Sequence, residues 1–223
     1  MKQLSLNDFE ENQERVYTKI HQGWKEALEG GISVGELPKN TGYVVVLKYH
    51  GADAELIEQT GHEIGRIVPS IVQSKDTLHT GIAFKNGLDL DGKTSNYYCG
   101  IVRRIAPDMA IENNLSKWLS SKDSAMLEGH PNYAFVYLTN QFQSMQEKYN
   151  VPKELCLGRQ WGSHITSARF KPGQISSEVA RGLDNLLRSA KAPGKVKPLG
   201  IEIAYQTLNA EGYMLQRIEF FSF

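Results

Sequence analysis

The chain has 223 residues, 40% of them hydrophobic, enough for one large domain or two small halves to bury a core. Its 25 basic and 25 acidic side chains give a formal net charge of zero, which excludes a polybasic nucleic-acid coat but not a local basic cleft. No apolar run approaches the ~18–20 residues of a membrane span. The polar N-terminus, MKQLSLNDFEENQERVY, has no signal-peptide core, and Cys99 and Cys156 form no CxxC pair, so the chain reads as soluble, reduced and cytoplasmic.

Helical spacing of Phe9, Val16, Ile20 and Trp24 predicts a helix over 5–30, capped by Asn7 or Asp8 and ended by Gly30-Gly31. Residues 31–42 read as a Gly/Pro/Asn connector. Residues 1–40 thus form a helical appendage and connector, and 41–223 the main body. The body opens with a strand at 43–49, a helix over 53–67 with Leu56, Ile57, Ile64 and Ile67 as its stripe, and a strand at 77–84. Residues 96–104 (NYYCGIVRR) read as a strand, and 110–128 as a helix with Leu115, Trp118 and Leu119 on one side. A second strand–helix–strand run follows: 133–138, 140–150 and 163–170. A helix over 174–190, a Lys/Pro/Gly loop at 191–198 and a hairpin of 199–206 with 213–221 complete the chain, the hairpin turning at 209–212.

Both strand–helix–strand runs end in a strand with a histidine near its start, His79 and His164, 85 residues apart. Self-similarity of this kind points to an internal duplication with pseudo-twofold symmetry. The other histidines have no ligand-type spacing. His21 and His62 read as helix-surface residues, His50 ends a strand, and His130 precedes Pro131 in a turn. No phosphate loop, nucleophile elbow or dinucleotide fingerprint is present. No metal site and no cofactor is therefore expected.

In a strand, residues i and i+2 share a face, so His164 and Thr166 point the same way. An imidazole beside a hydroxyl suits phosphate chemistry: one exchanges a proton near neutral pH, the other donates to a phosphate oxygen. The stretch Trp161-Gly162-Ser163-His164-Ile165-Thr166-Ser167-Ala168-Arg169-Phe170 resembles the second motif of the two-histidine (2H) phosphoesterase superfamily. The hairpin strands and the strand–helix–Leu78-His79 order resemble its other parts, over residues 43–221. The resemblance implies an α+β, bilobal, pseudo-twofold fold with two antiparallel sheets around a central cleft and helices outside. It further implies His79 and His164 as acid and base, Thr166 as a phosphate contact, and no metal.

The first motif departs from that pattern. Gly81 stands where the second hydroxyl belongs, and Thr80 points to the opposite face in a regular strand; a bulge at Gly81 would turn Thr80 toward the cleft as the substitute phosphate contact, and otherwise a backbone N–H or a water takes that place. Trp161, Tyr97, Tyr98 and Tyr205 are candidate surfaces for stacking a base. Arg169 reads as an exposed strand-end arginine with phosphate contact as its other reading. The expected function is a metal-independent phosphodiesterase acting on a nucleotide or oligonucleotide: a 2′,3′-cyclic phosphate, a 2′,5′-linked or cyclic oligonucleotide, or an RNA end. The alternatives are a non-catalytic nucleotide or RNA-end binding module, which Gly81 favours, and an interaction protein docking through its first 40 residues.

Overall fold

Ser5, not Asn7 or Asp8, caps the first helix. Its hydroxyl accepts from the Asp8 N–H (3.1 Å) while the Asp8 carboxylate accepts from the Ser5 N–H (3.0 Å), so two otherwise orphaned donors are satisfied reciprocally. The computed structural model describes residues 3–36, 40–105, 110–209 and 212–223. Helix α1 (Leu6–Gly30) buries Phe9, Gln13, Tyr17, Trp24 and Ala27 and ends at Gly31, whose φ of 75° glycine tolerates. The connector contains β1 (Ile32–Val34), and its residues 37–39 lie outside the described residues.

The body follows in the order β2 (Asn40–Lys48), α2 (Gly51–Ile67), β3 (Ser70–Val72), β4 (His79–Asn86), α3 (Gly92–Ile105), β5 (Asn113–Ser120), β6 (Ser124–Pro131) and α4 (Tyr133–Lys148). Then come β7 (Gly158–Arg159), β8 (Ile165–Phe170), β9 (Gly173–Ile175), α5 (Ser177–Ser189), β10 (Gly194–Val196), β11 (Gly200–Asn209) and β12 (Gly212–Ser222). Ala210 and Glu211 of the expected hairpin turn lie outside the described residues.

Three segments differ from expectation. Residues 96–104 are helical, because Thr94, Tyr98, Ile101, Val102 and Ile105 recur on one buried helical face despite their aromatic and β-branched content. Residues 113–131 form a hairpin, not a helix. Ser116 is an extra residue in β5, between Leu115 opposite Gly129 and Lys117 opposite Glu128, and this bulge gives Leu115, Trp118 and Leu119 a helix-like spacing. Residues 133–138 open α4 instead of a strand: Phe135, Val136, Leu138, Thr139, Phe142, Gln143 and Gln146 are buried at helical spacing across the whole element.

The strand order is β10-β5-β6-β8-β4-β2-β11-β12, all antiparallel, with β3 on β8 and β7 on β4. The expected duplication is present with its second unit starting earlier, at β6. Units β2-α2-β3-β4 and β6-α4-β7-β8 match, and the two sheet halves join at one register pair, Thr80 with Ile165. Each helix packs outside the sheet, and across the join: α2 lies on β3 and β8, α4 on β4, β6 and β7. Gly61 permits the first approach, since a Cβ there would fall 2.7 Å from the Ser167 hydroxyl. Strands β1 and β9 form a separate two-stranded sheet that ties the end of α1 to the second half.

Candidate active site

The two central strands carry matching bulges. In β4 the extra residue is Ile82, between Gly81 opposite Val46 and Ala83 opposite Val45. In β8 it is Ser167, between Thr166 opposite Met126 and Ala168 opposite Ala125. Each bulge shifts the alternation by one residue. Thus His79, Gly81 and Phe84 of β4, with His164, Thr166 and Arg169 beside and within β8, line one cleft of about 310 Å³.

His79 is half-buried. Its Nδ1 lies 2.7 Å from the Thr77 carbonyl, which can only accept, so Nδ1 carries a proton. The turn supplying that carbonyl is held by Thr77 and Leu78 N–H donating to the Ser74 carbonyl (2.8 and 3.0 Å). His79 Nε2 is left 3.4 Å from the Tyr213 hydroxyl, and the two rings stack at 5.9 Å between centroids. His164 is also half-buried and stacks on Trp161 at 4.3 Å and 17°. Its Nδ1 is buried without a partner. A proton there would lack an acceptor, so the neutral ring carries its proton on Nε2.

Burial pushes the His79 pKa down to about 4, with the Thr77 carbonyl opposing and Lys48 and Arg169 adding to the fall. Burial, then Arg169 and His79, push His164 down to about 3. Both rings therefore rest neutral at pH 7. Burial also raises the Tyr213 phenol.

The residue before His164 is pinned from three directions. The Ser163 N–H donates to Gln13 Oε1 of α1 (2.8 Å); its carbonyl accepts from Asn113 Nδ2 of β5 (2.8 Å) and the Thr80 hydroxyl of β4 (3.4 Å). Gln13 also donates to the Gly129 carbonyl (2.6 Å), and Tyr17 of α1 meets Trp161 edge-on at 5.5 Å. The N-terminal helix thus backs the His164 side of the cleft.

Of the residues expected at the site, His79, His164, Thr166 and Trp161 come together in the cleft. Thr80 does not. The bulge falls at Ile82 instead of Gly81, leaving Thr80 fully buried behind the sheet with its hydroxyl on Tyr49 (3.0 Å). Tyr98 is fully buried in α3 and donates to the Leu155 carbonyl; Tyr97 packs half-buried on the core. Tyr205 packs edge-on to Tyr43 and donates to the Leu88 carbonyl (2.9 Å), away from the cleft. Trp161 has one face covered by His164. His21 is not a simple surface residue, since its Nε2 meets the buried Glu128 carboxylate at 2.8 Å, and His130 lies within β6.

Phe84, Tyr213, Gln73 and Gln160 line the cleft unforeseen. By sequence Phe84 is only the last residue of a strand. Its signal was the same 85-residue offset that relates the histidines, which places it opposite Arg169 in the repeat; Arg169 itself lines the cleft. Tyr213 had no local signal, because the long hairpin register brings it in. Among the described residues no three His, Cys, Asp or Glu side chains converge as metal ligands do. Two proton-exchanging rings, a hydroxyl and a guanidinium around one cavity can hold an anion and move protons on either side of it.

Solved structures of other proteins share this fold. TT0787 of Thermus thermophilus matches with a TM-score of 0.59 and 12% identity, over 81% of this chain and 97% of that one. Escherichia coli LigT complexed with ATP matches at 0.52 and 13% identity, over 82% and 98%. LigT complexed with 3′-AMP matches at 0.51 and 13% identity, over 83% and 98%. The α+β fold expected from the motifs is thus one that these structures share over most of both chains. No family model and no curated protein sequence matches the chain.

Proposed function

We propose that this protein is a metal-independent phosphodiesterase that cleaves a nucleotide phosphodiester by paired-histidine acid–base catalysis. Its substrate class is a 2′,3′-cyclic phosphate, a 2′,5′-linked or cyclic oligonucleotide, or an RNA end. One observation carries this reading: two histidines at repeat-related positions of adjoining strands face one cleft beside Thr166 and Arg169. LigT, which shares the fold, has been solved with ATP and with 3′-AMP, which supports a nucleotide as the ligand.

His79 suits the base. The Thr77 carbonyl holds its proton on Nδ1, leaves the Nε2 lone pair toward the cleft, and stabilises the imidazolium formed when Nε2 takes a proton from the attacking oxygen. His164 suits the acid, with its proton on Nε2 directed to the leaving oxygen. Its charged form is disfavoured in the empty cleft, so the negative phosphate itself must draw the second proton onto the ring. Thr166 and Arg169 would then meet the charge that grows on the non-bridging oxygens. In the reverse step the two rings exchange roles.

Hydrolysis of 2′,3′-cyclic mononucleotides, 2′,5′- and 3′,5′-dinucleotides and cyclic oligonucleotides in EDTA tests the reading. Cleavage is expected to survive the chelator and to fall by about 10²–10⁴-fold in each of His79→Ala and His164→Ala. Cleavage abolished by EDTA, or indifferent to both substitutions, rejects it. Tight nucleotide binding without turnover would establish the binding module that Gly81 favours.

A further inference from the structure

Gly81 and Thr166 hold equivalent positions, each two residues past its histidine and just before a bulge, yet only Thr166 offers a hydroxyl. The space over Gly81 is filled. A Cβ there would lie 3.2 Å from Cγ of Gln160 and 3.3 Å from its Cδ and Nε2. The Gln160 side chain therefore occupies the volume that a residue-81 side chain would take, and it lines the cleft.

Its delivery is built into the fold. Gln160 follows β7, which pairs with β4 at Ala83 and Phe84, and its backbone N–H donates to the carbonyl of the bulge residue Ile82 (3.2 Å). The other half repeats the device. Gln73 follows β3, and its N–H donates to the carbonyl of the bulge residue Ser167 (2.8 Å). The Gln73 side chain is buried in the cleft wall, with Oε1 lacking any partner. Each bulge thus receives a glutamine from the opposite half. On the β8 side the amide accompanies a hydroxyl; on the β4 side it stands alone.

We propose that Gln160 contacts the substrate phosphate in place of the hydroxyl missing at position 81. Its amide N–H donates to a non-bridging oxygen of the phosphate between His79 and His164, and position 81 is glycine because Gln160 needs that volume. This rests on the cleft being a phosphate site. It departs from the expectation that Thr80 replaces the lost hydroxyl, since Thr80 is sealed behind the sheet.

The test measures inorganic phosphate affinity by NMR titration of the histidine ring signals, with cleavage of adenosine 2′,3′-cyclic phosphate followed in parallel. Gln160→Ala is expected to weaken phosphate binding about tenfold to a hundredfold, the range of a lost hydrogen bond to a charged group. Gln160→Glu, similar in shape but negative, weakens it further. Gly81→Ser in the Gln160→Ala background restores most of the affinity, whereas Gly81→Ser alone crowds Gln160 and gives no gain. Unchanged affinity in Gln160→Ala, or a loss that serine fails to recover in a variant melting like the wild type, overturns the assignment. So does a wild-type protein that does not bind phosphate. If the variants order as expected but the wild type cleaves nothing, the Gln160 contact stands and the turnover reading falls.

Discussion

Phe84 and Arg169 take the same place in the two repeats, and they make the two sides of the cleft chemically unlike. Arg169 brings a guanidinium and Phe84 a ring that is 38% exposed. Beyond Phe84, Gln206 Nε2 donates to Asn86 Oδ1 (2.9 Å), so the aromatic surface is bordered by amides that can hydrogen-bond a heterocycle. If the cleft takes a nucleotide as proposed, Phe84 is the surface offered to its base, while the phosphate lies between the two histidines. Phe84→Ala is expected to raise the Kd for 3′-AMP by about tenfold, within the ~1–3 kcal/mol of base–aromatic stacking, while leaving inorganic phosphate affinity unchanged. Equal loss for both ligands would show that Phe84 only supports the strand. The histidines and Thr166 were legible in the sequence because i, i+2 spacing and the repeat mark them. The place of Thr80 follows from an unbroken alternation between His79 and Gly81, where a bulge was expected, and that of Phe84 from the bulge at Ile82, invisible locally, which sets which β4 side chains reach the cleft after Gly81. Tyr98 and Tyr205 illustrate a different limit, since an aromatic residue packs a core as readily as it stacks a base.

At the scale of elements, α1 is more than an appendage to the cleft. Gln13 is buried and joins the Gly129 carbonyl to the Ser163 N–H, one residue from His164. Removing the amide leaves the buried Ser163 N–H and Gly129 carbonyl unpaired, at about 1–3 kcal/mol for each such group. Gln13→Ala should therefore lower the urea midpoint and, at temperatures where the protein stays folded, reduce turnover. Gln13→Glu retains the acceptor for Ser163 and should recover part of both losses. A variant with wild-type stability and rate would show that α1 merely covers the sheet. The legible elements, α2, β4, β8 and the final hairpin, have period and punctuation in agreement. The misread ones have them in conflict. In 133–138, β-prone residues open a helix whose apolar face only emerges over four turns. In 113–131, the Ser121–Ser124 turn carries no glycine or proline to mark it; there the Ser121 hydroxyl donates to Asp123 Oδ1 (2.8 Å) and its N–H to the Ser124 carbonyl (2.8 Å).

For the molecule as a whole, two depressed histidine pKa values link the cleft to global stability. An imidazole near 6.5 when unfolded and about 4 or 3 when folded is held neutral by the native state. Its contribution to stability is complete above about pH 6.5 and is lost as pH falls through that value toward the folded pKa. The melting temperature should therefore drop between pH 7 and pH 4.5, and less steeply in a His79→Gln/His164→Gln double variant. Saturating phosphate, which favours the charged rings, should flatten the wild-type slope. Identical slopes in wild type and variant would show that neither ring is coupled to folding.

The single register pair at Thr80 and Ile165 bears on how far each half depends on the other. Each half packs its helix on the neighbouring half's strand and hands a glutamine to the neighbouring half's bulge. Either half taken alone would bare the edge of its histidine strand and leave one helix face without its covering strand. Two identical copies would have closed the cleft around a true symmetry axis, with identical residues on either side. In one chain the two sides are free to differ: Thr166 and Arg169 stand on one and Gly81 and Phe84 on the other, so the cleft has two chemically distinct ends and a direction.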